Sequence, residues 1–204
     1  MMNTMQKRFS QLNSITGFTL VETLVAVTII TIAVAGPMVT ASRALLAANL
    51  SRDQLTASYL AQEGVEYVRG LRDQAYLTDL NAGNISDVSA AAWQDFIHGS
   101  GDVSFPSISK CIDTTCVFDP GAVGGIDPPL VPCSGNSCGP LYISNDIYTQ
   151  KADATLNEVK TPFVRTIQAV YVSDTDEKII SKVTWVYHKQ TYNVTITDHL
   201  TPWQ

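Results

Sequence analysis

Three things are scarce in this chain of 204 residues, and each scarcity excludes something. Basic residues number 13 against 19 acidic, and no run of Lys or Arg occurs anywhere. Tight nucleic-acid binding needs clustered cations for phosphate, so no nucleic-acid partner is expected. Proline is missing between Pro37 and Pro106, which leaves a long stretch with nothing to break a helix. Charge is missing from Phe18 to Val39, where Glu22 is the one ionisable side chain in 22 residues. A helix of that length covers about 33 Å, the thickness of a bilayer's hydrocarbon core. A buried helix of a water-soluble protein rarely stays free of charge on every face for so long, so a membrane-inserted helix over 18–39 is the expectation.

What is present divides the chain further. At 45% hydrophobic residues it has the material for a packed core. Residues 1–17 are polar and carry Lys7 and Arg8. A secretory signal places its apolar region before a small-residue cleavage site; here the small residue, Gly17, comes first. Two cations upstream hold an N-terminus in the cytoplasm, which places the remainder outside. Helical periodicity continues over 40–74 through Leu45, Ala48, Leu55, Tyr59, Val65, Val68 and Leu71, with charged residues on the other faces. One helix of about 55 residues is predicted. Gly36-Pro37 removes a backbone donor and predicts a kink. Gly64 has two readings, a close approach to a sheet or a tolerated defect.

Residues 75–160 are rich in Gly, Ser, Asn, Asp and Pro and read as a variable loop region. It holds a short helix around Ala90 to Ile97 and strand-like pieces "DVSF", "CVF" and "LYI". Residues 161–204 contain three β-rich runs, "TPFVRTIQAVYVS", "EKIISKVTWVYHK" and "TYNVTITDHL". With Lys189-Gln190 as a two-residue loop, Tyr187 faces Tyr192, Trp185 faces Val194 and Val183 faces Ile196. An apolar sheet face with a long helix to cover it is an α+β arrangement.

The junction Gly17-Phe18-Thr19-Leu20-Val21-Glu22, with its basic leader and apolar continuation, resembles the N-terminus of type IV pilins and of the pseudopilins of type II secretion. The likeness is tight over Gly17 to Ala35, and the closing "VTWVYHKQTYNVTITDHLTPW" is more loosely similar to minor-subunit tails. The resemblance implies a pilin-like fold, cleavage between Gly17 and Phe18 by a prepilin peptidase, and N-methylation of Phe18. It implies an assembly role for Glu22, which would meet the new amine of a neighbouring subunit and set register. It also implies that Gly36 and Pro37 let the helix stretch or melt locally. The partners implied are fellow pilins or pseudopilins, the inner-membrane platform protein, the assembly ATPase acting through it, and membrane lipid. The chain would sit in the inner membrane and then in an extracellular or periplasmic filament. The residues alone leave Glu22 a second role, a first-turn acid stabilised by the helix dipole.

Four cysteines allow three pairings. The local ones, Cys111–Cys116 and Cys133–Cys138, need no assumption about the fold, and a compartment outside the cytoplasm sustains them. The rival is a four-thiolate zinc site, although the usual spacing is x2 rather than x4. Gly135-Asn136-Ser137-Cys138-Gly139 has the letters of a nucleophile elbow, but Pro132 and Pro140 bracket it where a strand and a helix are needed. His98, His188 and His199 cluster with no nucleophile. Asp174-Thr175-Asp176-Glu177 offers calcium ligands but lacks the glycine and spacing of an EF-hand loop, so a polar turn is expected. The expectation is a structural subunit with no catalytic residues, metal or cofactor, calcium and zinc being the alternatives. A minor pilin or pseudopilin is preferred. A major pilin, or a membrane-tethered extracellular enzyme or binding module, are the rivals.

Overall fold

A computed structural model describes residues 17–83, 87–99, 107–118, 130–134, 138–144, 146–150 and 158–203. The leader with Lys7 and Arg8, the "DVSF" segment and Gly135-Asn136-Ser137 lie outside them. Helix α1 spans Leu20–Ala82. It ends at Gly83, whose φ of +69° is the left-handed conformation that glycine adopts without strain. The helix therefore passes Gln74, where the sequence pattern faded. Ala75 and Asp79 are buried beyond that point and extend its packed face. Chain contacts divide the molecule into two compact units, Met1–Ala48 and Asn49–Gln204.

In the outer unit, Asn49–Gln204, a short helix α2 (Val88–His98) follows α1. Asp87 caps it by accepting from the Ala90 N–H at 3.1 Å. A single 3₁₀ turn, Ser109–Cys111, precedes strand β1 (Cys116–Phe118). Strands β2 (Leu130–Pro132), β3 (Tyr142–Ser144), β4 (Ile147–Thr149) and β5 (Val159–Lys160) are all short. Three long strands close the chain: β6 (Val164–Ser173), β7 (Asp176–Tyr187) and β8 (Gln190–Leu200). One antiparallel sheet has the order β2-β1-β6-β7-β8 and a second has the order β4-β3-β5. This is the α+β, pilin-like arrangement of a long N-terminal helix followed by antiparallel sheet.

Period-2 alternation creates the packing surface. Along β6 the inward residues Arg165, Ile167 and Ala169 are buried, and along β7 Glu177, Ile179, Ser181, Val183 and Trp185 are buried. Residues 49–82 of α1 cover this face with a stripe of Ala57, Leu60, Ala61, Gly64, Val65, Val68, Leu71 and Ala75. The stripe differs from the predicted one: Leu55 and Tyr59 are exposed, and small residues take the inward positions. Size, rather than hydropathy, decides here, because a small side chain lets the helix backbone approach the sheet. Gly64 shows how close. A Cβ there would collide with Ser181 Oγ, and would lie 3.2 Å from Ser181 Cβ and 3.4 Å from Ile167 Cδ1. Of its two readings, close approach is the one observed.

Two apolar clusters flank that contact. One joins Ala57, Leu60 and Ala61 to Leu141, Phe163, Val183 and Trp185. The other joins Val68, Leu71 and Ala75 to α2, β1, β2 and the middle of β6 and β7. Arg165, fully buried, pairs with Glu63 of α1 and lies over the Phe118 ring, 3.7 Å from its centroid. The chain's end is tied to α1 as well. Arg72 donates to the Thr201 carbonyl at 3.3 Å and sits 4.9 Å over the Trp203 ring, which Tyr76 also meets at 5.7 Å.

The last hairpin departs from the predicted register. Its turn is His188-Lys189, with φ of +48° and +66° at the two residues, and Tyr187 pairs Gln190. Trp185 therefore faces Tyr192, and Val183 faces Val194. The shift is two residues, so every side chain keeps its predicted face. Alternation cannot distinguish registers two apart. The type I′ turn decides, since its positive φ at both central positions matches strand twist, and His tolerates that conformation better than most residues.

Candidate assembly and processing site

The N-terminal site is built on the first turn of α1. Thr19 is its cap: the Glu22 N–H donates to Thr19 Oγ1 at 3.3 Å, and the Thr23 N–H to the Thr19 carbonyl at 3.2 Å. Thr19-x-x-Glu22 is the spacing of a capping box, a signal present in the letters that the reading of the junction did not use. Glu22 is the acid of the first turn, where the positive end of the helix dipole favours it. Gly17 and Phe18 precede the helix without regular secondary structure, and both are exposed. The Gly17–Phe18 junction thus lies outside regular structure, while the acid four residues on is fixed by the helix.

From Gly17 through Asn49 every residue is exposed, with Phe18 at 75% and Leu20 at 82%. Water does not sustain an apolar helix left bare on all faces; lipid or other helices must cover it. Its hydroxyls are already satisfied internally. Thr23, Thr28 and Thr31 each donate to the carbonyl three residues back, at 2.8–2.9 Å. Such bonding lets polar side chains enter hydrocarbon without an orphaned donor. The helical assignment runs unbroken through Gly36 and Pro37. Pro37 lacks an N–H, so the Ala33 carbonyl loses its usual donor. Thr40 Oγ1 donates to both Gly36 O and Pro37 O, at 3.2 and 2.9 Å.

Elsewhere the candidate residues disperse. The cysteines form the two local disulfides, Cys111–Cys116 and Cys133–Cys138, so no sulfur remains as a zinc thiolate. Cys111 and Cys116 are buried in the core, tying the 3₁₀ turn to β1. His98 and His188 are exposed. His199 Nδ1 lies 2.9 Å from Asp176 Oδ1. The acids of the 174–177 segment point apart. Asp174 accepts from the Tyr171 hydroxyl at 2.8 Å, Asp176 meets His199, and Glu177 turns into the core. Burial, then the nearby charges of Asp113 and Asp176, raises the Glu177 pKa. The Asp174 bond, with burial and the charges of Asp174 and Glu177, raises that of Tyr171. Burial and Asp95 raise that of Asp79. Among the described residues no group of three or more His, Cys, Asp or Glu is placed to hold a metal.

The prokaryotic N-terminal methylation motif matches residues 12–36, the stretch that contains the junction, the cap and the acid. No curated protein and no solved structure matches the chain significantly. The methylation motif and the apolar N-terminal helix fit a membrane-anchored pilin. The match covers residues 12–36 and supports a type IV pilin-like prepilin. Such a motif implies, in general, processing by a prepilin peptidase and assembly with other pilins.

Proposed function

We propose that this protein is a minor subunit of a type IV pilus or a type II secretion pseudopilus. The peptidase cuts between Gly17 and Phe18, and the new amine is methylated. Glu22 then meets the Phe18 amine of an adjoining subunit and sets the axial register of the filament. One observation carries this reading: a single carboxylate stands one turn after the junction, in a stretch of α1, residues 20–42, that is otherwise uncharged and exposed on every face. A charge at membrane depth costs at least ~2.5 kcal/mol and persists where a partner serves a function. Cleavage supplies that partner as a cation. Gly36 and Pro37 give the helix a place to stretch during packing. The platform protein and, through it, the assembly ATPase drive the subunit out of the membrane.

Lys7 and Arg8 favour a cytoplasmic N-terminus, and the two disulfides fit an outer unit in an oxidising compartment. The loop-rich middle and the Leu200-to-Trp203 tail support a minor rather than a major role. The test is Glu22→Ala. The variant should insert in the membrane and keep its outer unit folded, yet be lost from sheared filaments. Normal incorporation would overturn the assembly role and favour a tether. Mass spectrometry of the native N-terminus should find methylated Phe18.

A further inference from the structure

The two disulfides are alike in the chain and unlike in their surroundings. Each joins cysteines at a sequence separation of 5, so each restricts the unfolded chain to the same degree. Cys111 and Cys116 are fully buried, inside the cluster that joins α1 and α2 to the five-stranded sheet. Cys133 and Cys138 are half-buried, and Pro132, Ser134 and Gly139 beside them are exposed. No atom of the described residues lies within 4 Å of a Cβ added at Gly139, so the backbone next to Cys138 borders open space. Thiol–disulfide exchange begins when an incoming thiolate reaches one sulfur of a pair. Access therefore decides which of two otherwise equivalent bonds reacts.

The accessible bond also sits where it can open without loss of the core. Cys133 follows β2, an edge strand of the five-stranded sheet, and Cys138 comes shortly before β3 of the other sheet. The bond ties the two sheets together with its Cα atoms 4.9 Å apart. Each end has noncovalent anchors of its own. The Cys133 N–H donates to the Thr115 carbonyl at 2.9 Å, which extends the β1–β2 pairing. On the other side Gln150 Nε2 donates to the Gly139 carbonyl at 3.2 Å and to the Arg165 carbonyl at 2.6 Å. The Leu141 N–H donates to the Phe163 carbonyl at 2.8 Å. Neither Cys133 nor Cys138 belongs to an apolar cluster, whereas Cys111 and Cys116 both do.

We propose that Cys133–Cys138 is a thiol–disulfide exchange site, opened in the folded protein by a dithiol of another protein, while Cys111–Cys116 stays closed as a structural bond. A thiolate of the partner attacks the Sγ of one cysteine and forms a mixed disulfide with it, and the other cysteine leaves as a thiolate. The partner's second thiol then attacks its own sulfur in the mixed disulfide and releases the first cysteine. Cys133 and Cys138 gain two electrons and two protons, and the partner dithiol loses them and ends as a disulfide. The partner must bring the thiols, because every cysteine of this chain is already bonded; a second copy has none to offer. It must bring two, because after a single attack the freed cysteine stands beside the mixed disulfide and re-closes the ring. No part of this step depends on the role proposed for Glu22.

The test uses the full-length oxidised protein in detergent micelles. Dithiothreitol is added, new thiols are capped with N-ethylmaleimide at intervals, and the capped cysteines are mapped by mass spectrometry. Cys133 and Cys138 should be capped together, roughly tenfold or more faster than Cys111 and Cys116. The fluorescence of buried Trp93 and Trp185 should stay native meanwhile. Equal rates, or opening that comes only with loss of that fluorescence, would overturn the site. Reduced thioredoxin that retains only its attacking cysteine then probes for a protein partner, with N-ethylmaleimide as the quench. It should be found joined to Cys133 or Cys138, with the other cysteine capped. Its attachment to Cys111 or Cys116, or no attachment at all, would overturn the choice of a protein dithiol. Cys133→Ser combined with Cys138→Ser stands for the opened state. It should speed amide exchange at residue 133 and keep native tryptophan fluorescence. An outer unit that no longer folds would show that the bond cannot open in the folded protein.

Discussion

Residues 20–48 and 49–82 of α1 belong to one helix and yet obey different solvents. In the first stretch every position is exposed, and large apolar residues occupy all sides. In the second, burial follows a stripe in which Ala57, Ala61, Gly64 and Ala75 hold inward places, and at Gly64 an added Cβ would collide with Ser181 Oγ. Hydropathy alone ranks the first stretch as the better core. The comparison shows why it is not one: a core needs a partner surface, and a partner surface selects for size at each position. A helix designed for lipid or for a bundle of copies has no such selection within its own chain. Identical substitutions placed in the two stretches should therefore have unlike effects on the outer unit.

The largest contrast is between two leucines. Leu60 is 4% exposed against Leu141, Phe163 and Trp185, whereas Leu24 is 60% exposed. Leu60→Ala should destabilise the outer unit by about 2–5 kcal/mol through lost burial and a residual cavity. Leu24→Ala should leave it unchanged. Chemical denaturation followed by tryptophan fluorescence checks both, because Trp93 and Trp185 are buried there. Equal effects would mean that residues 20–48 stabilise the outer unit, contrary to the division into two units.

Two glycines give the intermediate contrast. Gly64→Val forces its side chain against Ser181 and Ile167 and should cost about 1–3 kcal/mol by overpacking. At Gly36 no atom lies within 4 Å of an added Cβ. Gly36→Val should leave outer-unit unfolding unmoved and slightly favour helix there. Thermal unfolding of both variants decides. Gly64→Val without loss would show that the helix and sheet are looser than the structure has them.

These contrasts also mark what the letters carried. The span from Phe18 to Val39 was legible because absence of charge over that length has few physical explanations. Strands β6 to β8 were legible because ten or more residues of alternation outlast local noise. Helix α2 was found within two residues at its start and one at its end. Of the short strands, "CVF" is β1 and "LYI" overlaps β3, while β2, β4 and β5, two or three residues each, were not legible, since a period of two needs more length to register. The β7–β8 register slipped by two because both alignments segregate the same faces. Gly64 stayed ambiguous because its meaning lies in Ser181, 117 positions along the chain. Thr19 as a cap was legible and overlooked; its Thr-x-x-Glu spacing stood beside the residues that drew attention to the junction.

Two glutamates supply the smallest contrast, and its sign is what matters. Glu177 is 1% exposed, and Glu177 Oε1 has no hydrogen-bond partner among the described residues. Burial, reinforced by Asp113 and Asp176, raises its folded pKa above the ordinary 4.5. Between those two values the folded protein holds a proton that the unfolded chain has released, so stability falls as pH rises through that window. Below pH 4.5 both states are protonated and the penalty is absent; above the folded pKa it is fully present. Glu177→Gln should therefore raise outer-unit stability at neutral pH by roughly 1 kcal/mol and flatten the pH slope above 4.5. Glu22→Gln, in the exposed stretch, should leave outer-unit stability at neutral pH unchanged. The measurement is urea unfolding at a series of pH values. A Glu177→Gln protein that is less stable at neutral pH would show that the carboxylate is held by a bond, and that the core tolerates its one inward acid on β7 for a reason other than strand register.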